Sequence, residues 1–222
     1  MEQSNKVWYV TLLLTTIAGY CDTVTFVAAD AIFSAHVTGN FIVFAYQIVK
    51  GSDFQAWIKL LTFPVFIFSV IVGGIIASKS VSKYKILLWE GVLLIISGTL
   101  SYAFGYLNWT DKWTVYSVAL LVVFAMGLQN AFGKLFSKET YGPTTMMTGN
   151  VTQAALDLGN FIKSKFVDSD FRTSLTRQMI TIFGFLAGCF LGAIAGKYFG
   201  LGTVIVPGFA MIACYFKNRQ NA

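Results

Sequence analysis

His36-Val37-Thr38-Gly39-Asn40 and Met146-Met147-Thr148-Gly149-Asn150 share a Thr-Gly-Asn tripeptide, and the reading of that pair decides the fold. Each copy opens an apolar segment too short for an ordinary membrane crossing. The first, residues 41–49, stops at Lys50; the second, residues 151–162, stops at Lys163 and contains Asp157. A hydrocarbon slab of ~30 Å needs about 20 apolar residues per helix, whereas runs of about 10–14 are more often re-entrant or interfacial. Matched short, glycine-interrupted segments in two halves of a membrane chain are a pointer to a binding site.

The surrounding sequence is that of an integral membrane protein. Of 222 residues, 56% are hydrophobic and 12% charged, against about 25% charged in a soluble domain. The net charge of +6 does not indicate nucleic-acid binding, because the basic residues lie between apolar runs, where they set orientation in a bilayer. Cys21, Cys189 and Cys214 lie inside apolar segments with neither disulfide nor metal spacing, and read as small buried hydrophobes. The first apolar run, from Val7 to about Ala29, is too long for a signal core of ~7–15 residues and reads as a retained span. With no metal-spaced His/Cys cluster, nucleophile–base pair or phosphate-cradling loop, an enzyme, a metal and a cofactor are not expected.

Six segments are long enough to cross: roughly 7–29, 57–78, 86–107, 114–134, 178–199 and 201–216, the last marginal because Pro207-Gly208 interrupts it. If the two short segments do not cross, Lys6, Lys79, Lys83, Lys85, Lys134, Lys138, Lys163, Lys165, Arg172, Arg177, Lys217 and Arg219 share one side. Lys50, Lys59, Lys112 and Lys197 take the other, a division of 12 against 4. That bias favours six spans with both termini cytoplasmic; eight spans would divide the same residues 10 against 6.

The expected fold is therefore all-α: one polytopic membrane domain, 1–222, with six full spans and two short helices. Gly19-x-x-Asp22 precedes the first tripeptide, and Gly127-x-x-Asn130 precedes the second at nearly the same distance. The halves, 7–107 and 114–217, thus read as repeats, inverted because each holds an odd number of spans. Gly184, Gly188, Gly192 and Gly196 form one stripe along a helix, a packing signal that serves either the interior or a dimer seam.

The stretches Ala18-Gly19-Tyr20-Cys21-Asp22 with His36–Asn40, and Met126–Ala131 with Thr144–Asn150, resemble the YoaK-like family of small bacterial membrane proteins. The resemblance covers nearly the whole chain. It implies a bacterial inner-membrane protein with about six spans and a domain of unknown function, and brings neither a substrate nor catalytic residues. Asp30 departs from the small, apolar loop that the resemblance implies.

Physically, residues 31–37 as extended chain could descend about 23 Å, with Thr38 or Asn40 capping a helix that climbs back. Two such helices would aim their N-termini, with free N–H groups and partial positive charge, at one central spot. This architecture is analogous to the half-helices of aquaporin-like channels. The other reading makes both segments short, tilted spans with the tripeptide as a surface helix start.

The leading expectation is a transporter or channel for a small polar solute. Asp22, Asn40, Asn130 and Asn150 would line its path, with His36, Thr38 and Thr148 nearby and Asp22 as the proton-coupling group. Glu90, five residues from Lys85, is expected to reach the interface. Asp157 is expected to face the loop of Lys163 and Lys165. A homodimer is one way to complete so small a transporter. The alternative is a non-transporting scaffold that meets its partner through the glycine stripe.

Overall fold

The computed structural model describes residues 2–51 and 54–219, with no side chain described for 2–5 and 54–55. It is all-helical over these residues: α1 (Glu2–Ala28), α2 (Gly39–Val49), α3 (Ile58–Lys79), α4 (Lys85–Tyr106), α5 (Lys112–Leu135), α6 (Thr148–Lys163), α7 (Ser169–Phe199) and α8 (Ile205–Asn218). Six helices are long and apolar enough to cross a bilayer. Lys217 Nζ lies 4.1 Å from the Tyr9 ring centroid, so the first and last spans share what we call the terminal face. The opposite side is the far face.

Helix ends follow local chemistry. Asp111 caps α5, accepting from the Thr114 N–H at 3.1 Å, and Asp168 caps α7 through the N–H groups of Asp170 and Phe171; each satisfies donors that have no intrahelical partner. Gly200, at φ 71°, ends α7, a backbone setting glycine adopts without steric cost. Pro207 falls in the first turn of α8, where a missing N–H matters least. The last span therefore continues unbroken from a short 3-10 turn at Leu201–Val204. α7 begins nine residues before the expected span, and the extra turns, Ser169–Arg177, are mostly polar, broken by Phe171 and Leu175.

Three helix pairs build the bundle, and glycines let each close. A Cβ on Gly184, Gly188, Gly192 or Gly196 of α7 would press on α1 at Thr15, Thr16, Tyr20 and Val24 respectively. The stripe is thus an internal seam, filled by α1. The second pair is α3 and α5, where Gly127 packs on Ser69 and Gly73 on Ala131, and the Ser69 hydroxyl donates to the Phe124 carbonyl. In the third, Gly91 of α4 meets Gly208 and Ile212 of α8. Such close backbone approach supplies the dispersion and hydrogen bonding that associate helices in lipid.

The short helices do not cross. α2 runs antiparallel to the start of α3, with Asn40 bonded to Thr62, Phe41 against Phe63 and Phe44 against Trp57. Both its ends therefore lie on the far half of the bundle. α6 returns along the start of α7, where Asp157 accepts from the Ser174 hydroxyl at 2.6 Å.

Candidate functional site

The two tripeptides hold loops that dip between helices from opposite faces. After α1, Asp30 and Ala31 take left-handed conformations (φ 52° and 59°) that turn the chain back along α1. Asp22 Oδ1 then accepts from the N–H of Ala35 at 2.8 Å and, more weakly, of His36 at 3.3 Å. Asp22 lies six residues before the end of α1, so the loop descends ~9 Å below that end at 1.5 Å per residue.

Asn40 fastens the bottom of this loop. Its Oδ1 accepts from the Phe33 N–H at 2.8 Å; its Nδ2 donates to the Phe33 carbonyl at 2.8 Å and to Thr62 Oγ1 at 3.0 Å. The side chain is fully buried, and its amide pairs with a peptide unit seven residues back much as a neighbouring strand would. Thr38 and Asn40 do not cap α2: Thr38 makes no capping bond and Asn40 sits inside the helix. His36 sets its ring 5.9 Å from Phe33; its backbone N–H, not the imidazole, reaches Asp22.

The second loop repeats the plan from the terminal face. Asn150 Nδ2 donates to the Pro143 carbonyl, again seven residues back, at 3.4 Å. Pro143 has no N–H to return, and Asn150 Oδ1, in a buried residue, has no partner among the described residues. Asn130 Oδ1 accepts from Thr145 Oγ1 at 2.7 Å. Gln129 Nε2 donates to the Leu14 carbonyl of α1 and to Thr144 Oγ1, while its Oε1 is also unpartnered. The Tyr141 N–H donates to Thr11 Oγ1 of α1. Thr148 is exposed at the start of α6.

The loops do not converge on one midplane point. The first touches α1 at Asp22, the second at Thr11 and Leu14; eight helical residues, ~12 Å, separate Leu14 from Asp22. Between them Ile17, Ala18 and Cys21 of α1 and Val122, Ala125 and Met126 of α5 are buried and apolar. Each loop stops where its bonding groups run out.

Each loop mouth carries a clamp that the sequence did not reveal. At the far face Lys59 Nζ donates to Asp30 Oδ2 at 2.9 Å and to the Asp30 carbonyl, and the Tyr116 hydroxyl donates to Asp30 Oδ2 at 3.0 Å. At the terminal face Lys83 Nζ donates to Glu139 Oε1 at 2.5 Å and the Tyr84 hydroxyl to Glu139 Oε2. Asp30 precedes Asn40 by 10 residues and Glu139 precedes Asn150 by 11. For both acids burial opposes the charge, yet the lysine and tyrosine bonds outweigh it and hold each carboxyl below its usual range. The clue lay in the like spacing, but the lysines stand 29 and 56 residues away.

Two further acids behave unlike their sequence context. Glu90 does not reach the interface: it is fully buried and neither oxygen has a partner among the described residues. The helix turns it inward with Leu87 and Leu94, away from Lys85. Asp157 does not face Lys163 and Lys165; it accepts from Gln153 and Ser174 and pins α6 to α7.

A bundle of six apolar spans with two loops folded back into it defines a polytopic helical membrane protein. Residues 10–216 match the model of a family described as a protein of unknown function, DUF1275, and the chain belongs to that family. It is 23% identical over 199 residues, 88% of this chain and 86% of the other, to the UPF0700 transmembrane protein YoaK of Bacillus subtilis (strain 168). No solved structure matches it.

Proposed function

We infer that this protein is a transporter or channel for a small polar solute rather than an enzyme, built from two inverted repeats. One observation carries the reading: two loops enter from opposite faces, each ends at an Asn seven residues from its backbone partner, and each is closed at its mouth by an acid, a lysine and a tyrosine. A pair of equivalent closures on opposite faces is what two gates need. The helix partnerships support the repeats, since α1 on α7 and α5 on α3 are the same pairing under exchange of halves.

Within this reading the second loop meets the solute. Gln129 Oε1 and Asn150 Oδ1 are acceptors without donors, and a buried acceptor left empty is costly. A solute carrying N–H or O–H groups would fill them, with Asn130 and Thr148 alongside. Asp22, His36, Thr38 and Asn40 shape the opposing loop. Twelve basic residues on the terminal face against four on the other support an inner-membrane protein with cytoplasmic termini. The scaffold alternative loses its surface, because α1 occupies the glycine stripe.

The test is uptake by proteoliposomes of radiolabelled glycine, urea, glycerol and lactate, each against empty vesicles. Uptake of one solute, lost in Gln129→Leu and Asn150→Leu, is expected. Uptake unaltered by both substitutions would remove the site; none of the four crossing, with cysteines at 145 and 35 sealed from both faces, would remove transport.

A further inference from the structure

The groups so far described satisfy one another or offer neutral acceptors; Glu90 does neither. It projects from α4 on the stripe of Leu87, Gly91, Leu94 and Ser97, all buried. Gly91 beside it packs on the Gly208 carbonyl and Ile212 of α8, which brings Glu90 into the angle between α4, α8 and α1. Its titratable neighbours there are two thiols, Cys214 of α8 and Cys21 of α1. α5 and α3, which also pack against α4, place their titratable groups toward their ends: Lys112, Tyr116 and Lys134 on α5, Lys59 and Lys79 on α3.

Among the described residues no cation reaches this carboxyl. Lys83 is bonded to Glu139, Lys59 to Asp30, Lys6 lies over Tyr84 and Lys217 over Tyr9. A carboxylate in apolar surroundings with neither counter-ion nor hydrogen bond takes up a proton rather than stay ionised. An acid inside a membrane bundle marks a proton or ion pathway far more often than a structural accident.

An exit is present on one side. Cys214 Sγ accepts from Asn218 Nδ2 at 3.6 Å, Tyr9 stands beside Cys214, and Lys217, exposed at the terminal face, covers Tyr9. Polar atoms thus run from the neighbourhood of Glu90 to the aqueous edge through α8. Nothing comparable leads to the far face from Glu90 among the described residues: the stripe continues as Leu94, Ser97 and Gly98, with the Ser97 hydroxyl turned back onto the Leu93 carbonyl.

We propose that Glu90 is a proton-binding site inside the bundle, occupied in the conformation described here and exchanging with the terminal face past Cys214, Tyr9 and Asn218. Resting on the transport reading above, its role is to couple the solute to a proton, in place of Asp22. Asp22 is committed to the loop backbone; Glu90 is free to change partner.

Infrared spectroscopy of the full chain in lipid nanodiscs tests this without a solute. At pH 7 a protonated-carboxyl C=O stretch is expected that disappears in Glu90→Gln, remains in Asp22→Asn, shifts in D₂O and fades reversibly at alkaline pH. Thermal melting checks that the variants fold, and Glu90→Asp, which should keep a displaced band, serves if the Gln variant does not. Absence of a Glu90-dependent band at pH 7, or a band that neither shifts in D₂O nor titrates, would overturn the proposal. Because the band is read without transport, its absence removes the proton site alone, and failure of the uptake screen removes the transport reading alone.

Discussion

The loops before α2 and α6 share a tripeptide, a seven-residue fastening and a clamp, yet one is finished and the other is not. In the first, Phe33 offers both an N–H and a carbonyl, and Asn40 uses every polar atom it has. In the second, proline occupies the corresponding position and one amide oxygen is stranded. Their helices differ to match. α2 is apolar and shows Phe41, Ile42, Tyr46 and Val49 outward, while α6 mixes exposed apolar residues with Asp157 and Gln153 bonded beside α7. The difference teaches that a repeated motif fixes a shape, and a single missing N–H decides whether every polar atom in that shape finds a partner.

Replacing the two asparagines should split most widely. Asn40→Leu strands a backbone N–H and a carbonyl of Phe33 in a dry interior and takes one donor from the Thr62 hydroxyl, which keeps its bond to the Lys59 carbonyl, at a cost of roughly 2–5 kcal/mol. Asn150→Leu loses one long bond and removes an orphan, a change of about 1 kcal/mol or less. Denaturant unfolding in detergent reads both, and equal losses would end the distinction between the loops.

Next in size is access to the loops. Asp30→Asn removes the charge that Lys59 answers and should raise labelling of a cysteine at 35 several-fold from the far face. Glu139→Gln should do the same for a cysteine at 145 from the terminal face, with Cys21, Cys189 and Cys214 replaced beforehand. Labelling that rises on both faces from either change would show that the clamps are not independent closures.

Acid gives a smaller effect with a fixed sign. Both clamp carboxyls are held below their ordinary values when folded, so their stabilisation is fully present above the unfolded values of about 4. It is lost as pH falls through the lower folded values. Glu139, with a side chain 15% exposed against 50% for Asp30, should contribute more, because exposed pairs are screened by solvent. Melting from pH 6 to pH 3 should therefore fall less steeply in Glu139→Gln than in Asp30→Asn.

The smallest effect sharpens the comparison most. Pro143→Ala supplies the second loop with the N–H it lacks, and should strengthen coupling to Asn150 by about 0.5–1.5 kcal/mol. The gain is visible only against the Asn150→Leu background, since relaxing a proline costs about 0.4–1 kcal/mol of its own. A double-mutant cycle without coupling would show that the orphaned oxygen has another cause.

Much of the fold was legible because hydrophobic length is a local property. The six spans and two short helices follow from runs of apolar residues, and the paired tripeptides were visible as repeats. Depth was not legible: the extended-chain estimate allowed the loops to reach the midplane, but Asp22, Thr11 and Leu14 hold them nearer their own faces. Nor were partners. Asn40 bonds Phe33 and Thr62, Asp30 bonds Lys59 and Tyr116, and no composition or period connects them. Glu90 was misread because five residues from a lysine suggests water, while helical phase turns it the other way.

The four glycines of α7 have a mechanical consequence. With backbone laid on backbone from Thr16 to Val24, α1 and α7 have little freedom to slide or part, and behave as one rod. On the transport reading proposed above, rocking between inward and outward shapes would occur where larger side chains mediate contact, between this rod and the α3–α5 pair. On that reading, spin labels placed across α1 and α7 should keep a single distance with and without a transported solute, and labels across α1 and α3 should not.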